Sequence, residues 1–206
     1  MALLTRILSA IFLAACAANA APTLQADSLR LIHQFPLGTW VENIAVRGNG
    51  NLLVTSTRPT ASLHQLDPLT PHSNPSTTLI HTFANHTQLT AIAEPTPAVF
   101  TVLAFSTIYA VAFTPNASPS PTITPLATIP PAGTLNGPAT LPAARTLLIS
   151  DPTLGLIWRL DVRTGIHAAA VLRHNATMSP TTDLGLVLGV NGLRYHEPTA
   201  RRARGV

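Results

Sequence analysis

Short apolar stretches of five or six residues recur along this chain, separated by corners rich in Gly, Pro, Asn and Asp. The clearest example is residues 135–165. There, an Asn136-Gly137 corner precedes two strand-like runs, 146–150 and 156–161, and a turn separates the runs. Several short strands at such regular spacing predict an all-β fold of the meander type.

The same order of parts returns at a nearly constant interval. Ile44, Ile92, Pro138 and Leu193 begin comparable stretches, and they are 48, 46 and 55 residues apart. A period near 47 is typical of propeller blades. We therefore predict a β-propeller of four-stranded blades over residues 21–194, incomplete, with about three blades and part of a fourth.

Each repeat is predicted to begin with an outer strand, at 29–33, at 79–83, near Ile123 and at 166–172. A closed propeller typically has about four to eight blades. Two explanations stay open: the chain is a fragment or a mis-spliced form of a longer protein, or it is a short form. A short form would leave sheet edges open for pairing with a second copy.

The first twenty residues have the features of a secretory signal. Arg6 supplies the positive charge, residues 7–18 are apolar, and Ala18-Asn19-Ala20 provides the small residues of a cleavage site. The single cysteine, Cys16, lies inside this segment, so a processed protein would have no thiol. We expect a secreted protein, or one in the lumen of the secretory pathway, with no membrane attachment after cleavage.

Three Asn-x-Ser/Thr triplets follow the signal, at Asn85, Asn116 and Asn175. In a secreted protein such triplets are candidate glycosylation sites. At the other end, residues 195–206 form a basic segment that we expect to be disordered.

The composition excludes several classes of function. Hydrophobic residues make up 46% and charged residues 10%, which allows a large core, and nineteen prolines argue against long helices. Three of the charges in the net +4 are Arg201, Arg202 and Arg204, so no basic stripe for nucleic acid is present. There is no lysine for Schiff-base chemistry and no Gly-x-Ser-x-Gly elbow. The eight histidines lack metal-ligand spacing and are expected at the surface.

Five segments carry a resemblance to a known family: 41–47, 135–137, 148–151, 155–161 and 190–193. The chain resembles the senescence-marker-protein/gluconolactonase/luciferin-regenerating superfamily. More narrowly, it resembles secreted fungal members that include hetero-Diels–Alderases of tropolone–sesquiterpene pathways. The resemblance covers about residues 29–194. It implies a six-bladed propeller of which this chain supplies about the first half.

The resemblance also implies where a site would lie. In the lactonase branch, an axial cation is held at positions matched by Glu42 and Asn136, and Asn191 stands where that branch has an aspartate. One carboxylate and two amides make a poor calcium site, and an amide cannot act as a base at neutral pH. No cofactor is therefore expected, and calcium at Glu42, Asn136 and Asn191 is the alternative.

A pericyclic enzyme requires less, because it holds two reactants in a reactive geometry and polarises one of them. We therefore predict a hetero-Diels–Alderase-like enzyme of fungal secondary metabolism that acts on a small molecule. Glu42, Asn136 and Asn191 are its candidate catalytic residues, and Trp40 is the candidate surface for substrate stacking. The alternatives are a metal-dependent lactonase-like hydrolase and a non-catalytic secreted propeller or inactive fragment.

Two further residues are predicted to have structural roles. Asp151 is expected to fix the turn at 150–155, because aspartate side chains accept hydrogen bonds from nearby backbone N–H groups. Trp158 is expected to pack between neighbouring blades.

Overall fold

A computed structural model describes residues 31–69, 77–114, 120–141, 145–182 and 187–196. The chain divides after Ile32, and everything below concerns the part that starts at His33. The predicted signal at 1–20 with Cys16, the triplet at Asn116 and residues 197–206 of the predicted tail lie outside the described residues. The described part contains no helix long and apolar enough to cross a membrane.

Three four-stranded antiparallel sheets make up the described fold, and in each the strands neighbour one another in chain order. Sheet A consists of β1 (Trp40–Val46), β2 (Leu52–Arg58), β3 (Ser62–Leu66) and β4 (Thr78–Thr82). Sheet B consists of β5 (Ala91–Thr96), β6 (Val99–Ala104), β7 (Thr107–Ala112) and β8 (Thr122–Thr128). Sheet C consists of β9 (Asn136–Leu141), β10 (Thr146–Asp151), β11 (Leu156–Asp161) and β12 (His167–Arg173).

One four-residue helix, α1 (Asn175–Met178), follows sheet C in the described residues. The all-β prediction is confirmed, and so is the meander order, because tight turns join most successive strands within each sheet.

The grouping of strands differs from the prediction by one strand. The strands expected to open new repeats instead close the preceding sheets: β4 completes sheet A, β8 sheet B and β12 sheet C. The strand expected at 29–33 is not formed over 31–33, and no strand occupies 189–194. Of the predicted fourth unit, the described residues beyond β12 show α1 and an isolated bridge between Thr181 and Leu188. Each fourth strand pairs antiparallel with the third strand of the preceding hairpin.

Two apolar clusters lie between the sheets. Leu53 and Leu63 of sheet A pack with Phe100 and Val102 of sheet B in one cluster. In the other, buried residues of sheets B and C meet: Ala91, Leu103, Ile108, Leu147, Ile149 and Trp158. Trp158 is 2% exposed, which confirms its predicted place between sheets. Alternate residues of the central strands face these clusters, as the two-residue period of a strand requires.

Threonine side chains hold the beginnings of the first strands at one common end. The Thr57 hydroxyl, at the end of β2, donates to the carbonyl of Leu89 at 2.9 Å. The Thr90 hydroxyl, just before β5, donates to the carbonyl of Leu135 at 2.6 Å. Since β1 and β2 are antiparallel, the start of β1 lies at this same end. Along it, β1 lies beside β5, and β5 lies beside β9.

Candidate functional site

The predicted site residues lie at this common end, which we call the strand-start end. Glu42 is in β1, Asn136 is the first residue of β9, and Asn191 lies in the segment after the Thr181–Leu188 bridge. The structure brings the two Asn-Gly corners together. A Cβ atom added to Gly137 would lie 2.4 Å from the Cα atom of Gly192, so the Asn136-Gly137 and Asn191-Gly192 corners are in direct contact.

Asn136 is fixed by two short hydrogen bonds. Its Oδ1 accepts the N–H of Gly137 at 2.6 Å, and its backbone carbonyl accepts the hydroxyl of Ser150 at 2.9 Å. Ser150 is fully buried, whereas Asn136 is half-buried. Gly137 has φ of +46° and sits at an irregularity in the β9–β10 register, a conformation that favours glycine. The Asn-Gly pair is therefore a turn element and also a fixed amide.

Glu42 has different surroundings. It lies at a bulge in β1, where the register passes from Val41 to Asn43. Its Oε2 accepts the indole N–H of Trp40 at 2.8 Å. Trp40 is 51% exposed, and the Arg58 guanidinium lies 5.6 Å from the centroid of its ring. Bulges commonly turn a side chain toward a functional position, but here the carboxylate is paired with its neighbour on the same strand.

The structure therefore joins Asn136 to the Asn191 corner, and β5 lies between β9 and β1, the strand that carries Glu42. Trp40, the predicted stacking residue, is next to Glu42 and reachable by solvent. Asn191 is exposed.

The donor set does not fit a calcium ion. Calcium takes about six to eight oxygen ligands with substantial negative charge, and the predicted set holds a single carboxylate. That carboxylate already accepts the Trp40 N–H, and Asn136 Oδ1 already accepts a backbone N–H. Nowhere in the described ranges do three or more His, Cys, Asp or Glu side chains form a group suited to a metal.

Asp151 is the most heavily bonded side chain at this end. It is 0% exposed, and its Oδ1 accepts the backbone N–H groups of Thr153 and Leu154 at 3.2 and 3.0 Å. The predicted turn role is thereby confirmed.

The sequence pattern did not predict that the Asp151 carboxylate also accepts hydrogen bonds from outside its own turn. It also accepts the N–H groups of Gly133 and Thr134 at 2.8 and 3.2 Å, and the indole N–H of Trp158 at 3.0 Å. These bonds tie the loop before β9 to the β10–β11 turn. A buried carboxylate with five N–H donors positions its surroundings and is not placed to receive a substrate proton.

Sequence reasoning also missed a chain of hydroxyl groups on β2 and β3. Ser56 Oγ lies 2.7 Å from Ser62 Oγ, which lies 3.1 Å from His64 Nε2. All three line a cavity of about 350 Å³ whose walls include Phe35 and Pro59. The two-residue spacing of Ser62 and His64 places them on one face of β3 and was the available signal.

His64 corrects the expectation that the histidines lie at the surface. It is half-buried, and its pKa is lowered first by burial and second by the charge of His33. His33 and His86 are also half-buried, and His86 Nε2 lies 2.7 Å from the Tyr109 hydroxyl. Neighbouring strands partly bury these imidazole rings, and the spacing of histidines along the sequence does not show such contacts.

Another cavity, of about 390 Å³, lies near the opposite ends of β1 and β5. Arg47 lines it and stacks on the Phe113 ring at 3.7 Å, and burial lowers the pKa of Arg47. Neither this cavity nor the one at His64 is lined by Glu42, Asn136 or Asn191.

No family model matches this chain. It is similar to a candidate hetero-Diels–Alderase of Sarocladium schorii, asR5, with 32% identity over 197 residues, which cover 81% of this chain and 48% of the relative. It is also similar to a candidate hetero-Diels–Alderase of Phoma sp., with 31% identity over 201 residues, which cover 82% and 56%. The chain thus spans about half the length of the curated relatives it matches. The wider propeller superfamily stays a prediction.

Proposed function

We propose that this chain is a hetero-Diels–Alderase-like pericyclase of fungal secondary metabolism. The observation that carries the proposal is its similarity, over most of its length, to two fungal proteins with that name. The substrate would be a small molecule with a conjugated diene and a carbonyl group, since the reaction class joins a diene to a partner through a heteroatom.

The arrangement of the sheets supports a propeller as the scaffold. Three consecutive meander sheets place their first strands side by side, which is how blades surround a propeller axis. We propose that sheets A, B and C are successive blades of such a propeller. This chain would correspond to about the first half of a six-bladed ring.

The chemistry requires only positioning and polarisation. A concerted cycloaddition forms two bonds from existing π electrons, and no proton leaves or enters the product. Holding both partners together lowers the entropic barrier, and hydrogen-bond donors on the carbonyl oxygen stabilise the charge that develops there.

The strand-start end offers groups for both tasks. The side-chain amides of Asn136 and Asn191 can donate to a carbonyl oxygen, and Trp40 presents an exposed aromatic face. The Glu42 carboxylate accepts the indole N–H of Trp40, and this contact orients the Trp40 ring. We assign Glu42 to this orienting role in the proposed mechanism.

The proposal is tested by incubating the protein with a tropolone-derived heterodiene and an unactivated alkene, and measuring adduct formation against the uncatalysed rate. We expect the wild-type protein to accelerate the reaction and Asn136→Leu to lower the rate about tenfold or more. Asn49→Leu, in the β1–β2 turn away from the strand-start end, is the control. A folded wild-type protein that leaves the rate unchanged would favour the non-catalytic alternative.

We also propose that the protein enters the secretory pathway and carries glycans. Asn85 and Asn175 are exposed, which glycosylation requires. Expression in a fungal host, followed by digestion with an endoglycosidase, tests this: a loss of mass on digestion is expected. A secreted protein of unchanged mass would remove the glycan assignment alone.

A further inference from the structure

Asn43 of β1 makes the same two kinds of hydrogen bond as Asn136 of β9. Its Oδ1 accepts the N–H of the next residue, Ile44, at 2.9 Å, as Asn136 Oδ1 accepts the N–H of Gly137. Its backbone carbonyl accepts the hydroxyl of the cross-strand partner Thr55 at 3.4 Å, as that of Asn136 accepts the hydroxyl of its partner Ser150. The repeated hydrogen bonds fix one asparagine in each of two first strands, Asn43 in the middle of β1 and Asn136 at the start of β9.

In both asparagines the amide NH₂ group is left available. Oδ1 and the carbonyl are engaged, but no hydrogen bond leads from either Nδ2 to a described residue. No buried side-chain nitrogen or oxygen in the described ranges lacks a partner. Because both asparagines are half-buried and neither Nδ2 has a described partner, both Nδ2 atoms keep some exposure to solvent.

The strand between them offers no such group. β5 begins with Ala91 and Ile92, which are 0% and 5% exposed. The hydroxyl of the preceding Thr90 is already used, because it donates to Leu135. Two fixed amide donors thus stand on either side of a strand whose first side chains are buried and offer no donor, and the pair suits a molecule with a hydrogen-bond-accepting oxygen.

Glu42, which occupies the position in its repeat that corresponds to Asn136, cannot donate a hydrogen bond to a carbonyl oxygen. An ionised carboxylate accepts hydrogen bonds and would repel a carbonyl oxygen, whereas an amide donates. The carboxylate of Glu42 is moreover paired with Trp40. On β1, the group that matches Asn136 in bonding is therefore the next residue along the strand.

We propose that Asn43 is a ligand-binding residue that donates, through Nδ2, to the carbonyl oxygen of a flat, uncharged conjugated ketone. The inference deepens the proposed function, because a heterodiene carries such an oxygen. It does not require that the chain catalyse any reaction, since it concerns binding alone.

The test uses tropone, a flat uncharged ketone, and compares it with cycloheptatriene, the seven-membered ring hydrocarbon that lacks the oxygen. Binding to the whole 206-residue protein is measured by calorimetry. We expect tropone to bind more tightly than cycloheptatriene. We expect Asn43→Asp to weaken tropone binding about tenfold, the loss typical of a removed hydrogen bond beside a new repulsion. It should leave the binding of cycloheptatriene unchanged.

Asn43→Asp separates binding from a structural role, because an aspartate oxygen can still accept the Ile44 N–H. Asn49→Asp is the control: Asn49 Oδ1 accepts the N–H of Asn51 at 3.1 Å, a similar local bond, in the β1–β2 turn. It introduces the same charge and should leave tropone binding unchanged. If Asn43→Asp does not fold, Asn43→Ser removes the amide with no new charge and takes its place.

Equal tropone affinity in the wild-type and Asn43→Asp proteins would overturn the inference, and so would a wild-type protein that prefers tropone no more than cycloheptatriene. Tropone binding that depends on Asn43, without acceleration of cycloaddition, would sink the proposed function and leave this inference standing. Acceleration of the cycloaddition that is unaffected by Asn43→Asp would support the proposed function and contradict the inference about Asn43.

Discussion

Sheets A and C have the same strand order, yet their first strands are supported in opposite ways. In β9, residues Gly137, Pro138 and Ala139 are buried, and the backbone of Gly192 lies directly against Gly137. In β1, Trp40, Ile44 and Val46 are between 51% and 61% exposed. β9 has neighbours on both sides, β5 and the 189–192 segment, whereas in the described residues β1 has β5 on one side.

The β10–β11 turn of sheet C and the β2–β3 turn of sheet A are also held by different kinds of hydrogen bond. In sheet C, the buried carboxylate of Asp151 collects five N–H groups from three segments of the chain. In sheet A, the corresponding turn is closed by neutral hydroxyl groups, with Ser56 Oγ lying 2.7 Å from Ser62 Oγ and 3.1 Å from the carbonyl of Thr60. Hydrogen bonds to a charged group are stronger than those between neutral groups, so sheet C should be the more rigid half of the strand-start end.

The largest effect is expected from Asp151→Asn, which would make sheet C resemble sheet A. An amide keeps one acceptor oxygen and points an NH₂ group at other N–H donors, so buried donors lose their partners. We expect a loss of about 3 kcal/mol in the free energy of unfolding, measured by urea denaturation.

Asp161→Asn is the matched control for that prediction. Asp161 accepts the N–H groups of Arg163 and Thr164 in an exposed turn, and those hydrogen bonds, the one from Arg163 first, lower its pKa. Water can replace these bonds, so a much smaller loss is expected. If both variants lose the same stability, the buried network at Asp151 is not what distinguishes sheet C.

Gly137→Ala tests the contact between the two Asn-Gly corners. Its Cβ would lie 2.4 Å from Gly192 Cα and 2.8 Å from Ser150 Oγ, and the residue has φ of +46°. Positive φ alone costs about 1–2 kcal/mol, and the clash with backbone adds to that. We expect a loss of about 2–3 kcal/mol in the free energy of unfolding.

Gly192→Ala is the control for the clash, because Gly192 has φ of +74° and nothing lies within 4 Å of an added Cβ. Its loss should be limited to the backbone term. The difference between the losses of the two glycine variants gives the steric contribution. Comparable losses in the two glycine variants would mean that the close approach of the corners contributes little to stability.

A small effect is expected from Ile44→Ala in β1. Ile44 is 55% exposed, and exposed substitutions usually change stability by less than about 0.5 kcal/mol. The control is Ile92→Ala in β5, where the side chain is 5% exposed and truncation should cost about 2–4 kcal/mol. A loss at Ile44 as large as that at Ile92 would show that β1 is covered in solution.

The smallest effect concerns pH and sheet A. The pKa of His64 is lowered from 6.5, chiefly by burial, so the unfolded state binds its proton more readily. Stability should therefore fall as pH drops through 6.5 toward the folded-state pKa and then level off. His64→Gln should flatten this part of the profile, measured by thermal unfolding between about pH 7.5 and 5. An unchanged profile would assign the pH dependence to other groups.

Much of the fold could be predicted because its signals are local. Alternating apolar residues such as those of 156–161, and the corners at Asn136-Gly137 and Asp151, specify strands and turns through backbone geometry and short-range hydrogen bonds. The assignment of β4, β8 and β12 to sheets could not be read in this way. A repeat in the sequence fixes the period and leaves open the strand at which one sheet ends.

Local patterns in the sequence specify the turns, most of the strands and the comparable places of Glu42, Asn136 and Asn191 in the repeat. Contacts between distant segments specify which of these residues meet: the Asn136 and Asn191 corners lie together through Gly137 and Gly192, and Glu42 is held by Trp40. The tertiary structure also shows that Asn43 makes hydrogen bonds of the same kind as Asn136. The physical reason is register, since a single bulge in β1 shifts which residue faces a cross-strand hydroxyl, and register depends on pairing between segments distant in the chain.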